Sequence, residues 1–274
     1  MTRRALLFAL AGLALLLVVF VADVAQGQGG LSLRTVVDAL LHDRSTLEGA
    51  LVRDVRLPRA MAGIVAGGAL GAAAVLLIAV TRNPLAEPAT LGLTAGGTLA
   101  VTLTTAYGSI APGAPTIAVA FAGVLFGALL IGAIAAVAGA APVRIVLAGM
   151  AISLALAAVS AAIQLLRETE TSGMFLWGAG SLLQTGWDQV RAGALIGAVV
   201  LVGCFGLARQ LDVAVLGEST ARALGLRNNT TRLLSVGAAV LLTAVAVGVA
   251  GPIAFVGILS AAIARAARPR GHAA

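Results

Sequence analysis

The chain has 274 residues, of which 60% are hydrophobic and 11% charged, and its mean hydropathy is +1.05; soluble domains carry about a quarter of their residues as charges, so a polytopic membrane protein is indicated. The net charge of +7 comes from 18 basic residues that are all arginines, sited at the ends of apolar runs and without interleaved aromatics, which argues for topology signals and against nucleic-acid binding. With no lysine, a phosphate-binding loop of the G-x-x-x-x-G-K-[ST] kind is impossible and the chain is not itself an ATPase.

A hydrocarbon core about 30 Å thick takes roughly 20 apolar residues per helical span, so charge-free intervals are candidate crossings. The first is Ala5–Ala22 (1–22 with the residues ahead of it). Arg3 and Arg4 ahead of it imitate a signal peptide, but Ala-Asp-Val-Ala at 22–25 is a weak cleavage site and the run is longer than a signal core, so it is read as a retained span. The second crossing is Ala60–Thr81. The third and fourth share Pro88–Val143, broken by the turn formers YGSIAPGAP at 107–115. Ile145–Leu166 is the fifth and Ala192–Ala208 the sixth. Gly251-Pro252 divides Leu233–Ala264 into a full seventh span and a short eighth. None of these intervals alternates apolar and polar residues as barrel strands do. The expected fold is all-α, a polytopic transmembrane helical bundle of about eight spans forming one membrane domain over 1–274.

Arginine placement orients the bundle. With Arg3 and Arg4 cytoplasmic, eight crossings return Arg265, Arg268 and Arg270 to the same side, and Arg82, Arg144, Arg209, Arg222, Arg227 and Arg232 also fall on inner connections. Gly63, Gly67 and Gly71 in the second span, and Gly123 and Gly127 in the fourth, form small-xxx-small stripes that permit close helix packing in lipid. No Asp, Glu, Arg or His lies inside a proposed crossing, which disfavours an ion-coupled carrier working alone. His42 and His272 have no metal-ligand partner at a useful spacing, Cys204 is single and within the sixth run, and no catalytic set is visible. No catalytic residue, metal site or cofactor is expected.

The stretch RNPLAEPATLG at 82–92 interrupts two apolar runs. Asn83-Pro84 ends one helix, because proline disfavours helical geometry in the residue before it. Pro88 suits the first turn of the next, and Glu87 sits just ahead of that helix at the positive end of its dipole.

This stretch is part of VRLPRAMAGIVAGGALGAAAVLLIAVTRNPLAEPATLG at 55–92, which resembles the permease family of bacterial ABC importers for iron-siderophores, haem and cobalamin (FecCD type). VRIVLAGMAIS (143–153), FLWGAGSLLQTGW (175–187), LGESTARALGL (216–226) and VAGPIAFVGI (249–258) resemble further blocks of that family in its own order, so the family-like core runs over 55–265. The resemblance implies a non-enzymatic, multi-pass subunit of the cell membrane. Its implied partners are a second permease subunit in a homo- or heterodimer, a cytoplasmic ABC ATPase that hydrolyses the ATP, and an extracytoplasmic substrate-binding protein, with lipid around it and no nucleic acid.

It also implies roles for residues. Arg56 and Arg59 occupy the R-L-P-R positions that meet glutamates of the docked binding protein. The 212–226 segment, with Leu216, Gly217, Glu218, Ala221, Arg222, Leu224 and Gly225, would couple to the ATPase from the cytoplasmic side. Pro142, Val143 and Arg144 fall on the inner gate loop. Asn83, Pro84, Glu87 and Pro88 form the family turn motif, and Gly251, Pro252, Phe255 and Gly257 its Gly-Pro signature. Thr102, Thr104, Thr105, Ser153, Ser160 and Gln164 are candidate polar points on a passage, or bond their own helix backbone. After the Gly-Pro signature the family has V-P-H-I-x-R and two more spans, ten in all, where this sequence has LSAAIAR (259–265). A C-terminally truncated, non-transporting remnant of such a permease is therefore the second expectation, and a stand-alone secondary carrier the third.

Overall fold

The computed structural model describes residues 3–25, 36, 46–138, 142–171, 173–183, 185–215 and 228–267. Eight main helices follow in chain order: α1 (Arg3–Ala25), α2 (Leu57–Thr81), α3 (Leu93–Ala106), α4 (Thr116–Ala138), α5 (Pro142–Leu166), α6 (Trp187–Val215), α7 (Asn228–Ala250) and α8 (Val256–Ala267). Short helical turns at Glu168–Thr171 and Met174–Gly178 join α5 to α6, and among the described residues no strand occurs.

Among the described residues, six helical segments are long and apolar enough to cross a membrane: Leu6–Ala25, Leu47–Thr81, Thr116–Val137, Val143–Leu166, Trp187–Leu207 and Thr230–Ala250. The third and eighth expected spans are shorter, α3 with 14 residues and α8 with 12. At 1.5 Å per residue these reach only about 21 and 18 Å. Of the eight expected crossings, six are full-length.

The centre of the bundle is α7, whose apolar window is 67% buried against 6% for α1. It packs on α2, α4 and α6, while α3 lies between α4 and α5, and α8 lies against α2. The α2–α7 face uses Ala62, Ala66, Ala69 and Ala73 opposite a run of buried residues from Leu242 to Ala250. In lipid such association depends on close packing, and alanine brings two helices together without losing helix propensity.

The glycine stripes separate into two kinds. A side chain on Gly123 would run into the Gly96 backbone and come within 2.6 Å of Ala100 Cβ, and one on Gly127 would come within 2.8 Å of the Gly92 carbonyl oxygen. The α3–α4 seam is thus a contact of glycine backbones. In α2, by contrast, nothing lies within 4 Å of the Cβ position of Gly67, and Gly63 and Gly71 meet only the Leu182 and Ser260 side chains. The sequence spacing predicts a tight seam in both helices, and only α4 has one.

At its N-terminal end α2 continues backwards without a break. Leu47–Ala50 is α-helical, capped by Thr46, which accepts from Gly49 N at 3.1 Å, and Leu51–Arg56 forms a π turn that runs directly into α2. The 35-residue helix is about 50 Å long, far more than the hydrocarbon core requires.

The α2–α3 connection accounts for the shortness of α3. The helix does not begin at Pro88 but at Leu93, after Gly92 in a left-handed conformation at φ 72°. Ser153, near the middle of α5, donates to Ala89 O at 2.9 Å, while Gly127, near the middle of α4, abuts Gly92. The chain leaving α2 therefore re-enters the bundle to mid-depth before α3 starts. Non-helical backbone is tolerated there because protein surrounds it. Ala86, Leu91, Gly92 and Leu93 N–H groups donate to Asn83, Glu87, Ala89 and Pro88 carbonyls.

Candidate functional site

The re-entrant turn is built by its own side chains. Arg82 ends α2 in a left-handed conformation, Asn83 Oδ1 accepts from Leu85 N at 3.0 Å, and Thr90 Oγ1 accepts from Glu87 N at 3.1 Å while donating to Glu87 O at 3.0 Å. These local bonds substitute for helix bonds around Pro84 and Pro88. They deliver Glu87, only 2% exposed, into the interior.

There Glu87 does not serve α3, as its place in the sequence suggests. Its Oε1 accepts from Phe255 N at 3.1 Å and its Oε2 from Ile258 N at 3.3 Å. The carboxylate caps the N-terminus of α8, where free N–H groups and the positive end of the dipole favour an anion. Glu87 lies just outside the crossings proposed from the sequence, yet it is buried within the bundle, next in the chain to Ala89 and Gly92, which meet the middles of α5 and α4. Sequence spacing carries no sign of the contact, since the partners are 168 and 171 residues away.

The Gly-Pro signature is shaped to receive this carboxylate. Phe255 is held at φ 67°, a left-handed conformation that costs a bulky residue on the order of 1–3 kcal/mol. Two hydrogen bonds to a charged acceptor, about 1.5–3 kcal/mol each, offset it. Gly257 has no room for a side chain, which would lie 2.7 Å from Ala74 Cβ and 3.1 Å from Glu87 Oε2. Gly251, at φ 71°, lies against the Trp177 carbonyl, and a side chain on Gly180 would lie 2.6 Å from Pro252 O. Thr185 Oγ1 donates to Val249 O at 2.7 Å. Residues 249–258 are thus fastened to the 177–185 segment at one end and to the re-entrant turn at the other.

At the rim formed by the N-terminal end of α2 the two arginines of R-L-P-R diverge. Arg56 is 5% exposed and its Nη1 donates to Val24 O at 2.9 Å and Ala25 O at 3.1 Å, a cation closing the C-terminus of α1. Arg59 stays half-exposed, 3.9 Å from Asp23. Of the two arginines expected to meet a docked partner, Arg59 is open to solvent and Arg56 is turned inward. Trp187 Nε1 donates to Arg53 O in the π turn at 2.9 Å, and the Arg191 guanidinium lies 5.5 Å over the Trp187 ring. These side chains, with Gly49, Ala50, Asp54 and Leu57, line a groove of about 560 Å³. In the connection after α5, Arg167 stacks 4.7 Å over Tyr107 and pairs with Glu170 at 3.4 Å; Tyr107 first, then Glu170, push its already high pKa further up, so it is a fixed cation.

The candidate polar points divide in the same way. Thr104 and Ser160 donate to Val101 O and Leu156 O in their own helices. Thr102 is buried and receives Gln164 Nε2 at 3.4 Å. Thr105 lines a cavity of about 280 Å³ with Thr116, Glu170, Trp177, Thr185 and Gln189. Ser153 holds the re-entrant turn. Pro142 opens α5, the position where its missing N–H costs nothing, with Val143 and Arg144 exposed in the same turn. The first part of 212–226, up to Val215, is the end of α6; Leu216, Gly217, Glu218, Ala221, Arg222, Leu224 and Gly225 lie outside the described residues. Among the described residues no group of His, Cys, Asp or Glu could hold a metal ion.

Residues 15–274 match the sequence profile of the FecCD transport family. The chain is 36% identical over 264 residues to the ferric enterobactin transport system permease protein FepD of Escherichia coli, covering 94% of this chain and 78% of that protein. It is 32% identical over 267 residues to the iron(3+)-hydroxamate import system permease protein FhuB of Bacillus subtilis, covering 96% and 69%. In fold it resembles a solved metal-chelate type ABC transporter in an inward-facing conformation, with a TM-score of 0.69 at 24% identity over 94% of this chain and 86% of that one.

Proposed function

The chain belongs to the FecCD transport family, and from that membership we propose how its geometry serves an importer. It is a multi-pass inner-membrane protein and the permease subunit of an ABC importer of the siderophore and metal-chelate kind. Its own work is passage and gating. We assign ATP hydrolysis to a separate cytoplasmic ATPase, delivery of cargo to an extracytoplasmic binding protein, and the other half of the pathway to a second permease subunit.

The observation that supports this reading most is the meeting of the RNPLAEPATLG turn and the GPIAFVG signature inside the bundle, through Glu87 and Phe255. An importer of this kind alternates between outward and inward openings, and that requires the two sides to be mechanically linked. In the proposed cycle Arg59 and the long outer end of α2 face the binding protein, Pro142 to Arg144 border the inner opening, and 216–226 meets the ATPase. The cargo class is a ferric chelate carried without strong fixed sites, since the hydroxyls of Thr104 and Ser160 are engaged within their own helices. A stand-alone carrier needs an ionisable group facing a passage, whereas both oxygens of Glu87 are occupied by backbone N–H groups.

Co-expression with a cognate ABC ATPase, followed by purification in detergent, tests the assignment. Stoichiometric co-purification, with ATP hydrolysis stimulated by the loaded binding protein, is expected. A chain that purifies alone under conditions where its ATPase is folded would sink it.

A further inference from the structure

We infer that Glu87 is a positioning residue for transport: its carboxylate fastens the re-entrant turn after α2 to the Phe255–Ile258 backbone and keeps the inner and outer ends of the permease moving as one. The inference rests on the permease assignment and deepens it.

Among the described residues Arg56 and Glu87 are the charged side chains that are buried. Arg56 closes a peripheral helix. Glu87 lies between elements rooted on opposite sides. The turn is anchored by Arg82 at the C-terminal end of α2, by Asn83 and Thr90 within the turn, and by Ser153 at mid-depth on α5. Toward the outer side, residues 249–252 are anchored by Thr185, Gly180 and the Trp177 carbonyl against Gly251. Between the two anchors the chain passes through Phe255, at φ 67°, and the first turn of α8, and Glu87 bonds them there.

The chemistry makes the link specific to a carboxylate. Both oxygens face N–H donors, so each must accept. A glutamine of the same shape can accept with its oxygen only, and its amide nitrogen would confront the second N–H donor. The cap would lose one bond and gain a donor–donor conflict while the volume stayed the same. Phe255, in a conformation a bulky side chain resists, depends on the bond to stay there. Without it the 252–258 backbone relaxes, and a shift of α2 and its turn no longer carries the Trp177 segment with it.

The test uses the assembled complex in lipid nanodiscs and proteoliposomes, with its ATPase and binding protein, as wild type, Glu87→Gln and Glu87→Asp. Two quantities are read: amide hydrogen exchange in peptides covering 252–260, and ferric chelate transported per ATP hydrolysed. For Glu87→Gln the expected result is exchange faster by about tenfold or more in 252–260, unchanged exchange in α4 and α7, and a coupling ratio reduced at least fivefold with ATP hydrolysis retained. Glu87→Asp, which keeps a carboxylate on a shorter stem, should fall between the two and restores the measurement if Glu87→Gln does not assemble. Unchanged exchange with unchanged coupling overturns the inference, as does a change in either quantity without the other. A wild-type complex that never couples hydrolysis to transport overturns the permease assignment and this inference with it. A coupled wild type with an unaffected Glu87→Gln overturns this inference alone.

Discussion

Alanine at two glycines that share the same four-residue spacing should have opposite effects. A methyl on Gly123 would lie 2.6 Å from Ala100 Cβ and closer still to the Gly96 carbonyl oxygen. Carbon atoms in good contact sit about 3.5–4.0 Å apart, so α3 and α4 would have to separate by about 1 Å along their whole seam. The obstacle is backbone on the facing helix, which cannot swing aside as a side chain can. Overpacking of this kind costs typically 1–3 kcal/mol, and the upper end applies here. For a chain of this size about 3 kcal/mol corresponds to a melting point lower by roughly 6–12 °C. Gly67→Ala meets nothing within 4 Å. It should gain about 0.5–1 kcal/mol from reduced backbone freedom in the unfolded helix and raise the melting point by a few degrees. Thermal unfolding of the isolated subunit in one detergent, followed by fluorescence-detected size exclusion, measures both. A Gly67→Ala variant that loses as much as Gly123→Ala, or a Gly123→Ala variant that loses nothing, would refute the seam as described.

Further outcomes follow from the rim and the Gly-Pro signature. Arg59→Glu should weaken binding-protein affinity roughly tenfold or more with unchanged melting, while Arg56→Ala should lower stability by about 2–3 kcal/mol through loss of its bonds to the end of α1; titration of the binding protein and a melting curve separate the two. Gly251→Ala should cost about 2–4 kcal/mol, because φ 71° disfavours a side chain and the Trp177 carbonyl leaves no room for one, whereas Phe255→Gly should keep or raise the melting point. In a Cys204→Ala background, Ser45→Cys should react with an impermeant thiol reagent on intact spheroplasts and Ser219→Cys should not; the reverse pattern inverts the arginine-based topology.

The crossings were legible in the sequence because an uninterrupted apolar interval is a property of composition. Even there, α6 runs Trp187–Val215 where the charge-free interval gives only Ala192–Ala208, since a helix continues into polar surroundings for as long as its backbone bonds last. Asp188 in its first turn suits the positive end of the dipole. The length of α3 was not legible: whether a Pro-rich turn stays at the surface or re-enters the bundle depends on Ser153 and Gly127, which receive it from other helices. For the same reason the order of the family blocks could be read in one dimension, but not that two of them touch. Glu87 resembles a local helix-terminal acid, and its true partners lie 168 and 171 residues on. Spacing revealed that Gly63, Gly67, Gly71, Gly123 and Gly127 form stripes, but which stripe faces another backbone is a fact about helix rotation. Arg56 ends the π turn and Arg59 lies three residues on in the first turn of α2, and only the path of α1 decides that one is covered and the other is not.

The central claim is that this chain is the gated membrane passage of an ATP-driven importer of ferric chelates. Its most direct test is uptake of radio-iron chelate into proteoliposomes containing this chain, its ATPase and a loaded binding protein, with no other permease added unless the complex is heterodimeric. The account predicts accumulation that requires ATP, the binding protein and the permease together, and that an imposed proton or sodium gradient cannot replace. Accumulation driven by such a gradient without the ATPase, or none at all from a fully assembled complex, would contradict it.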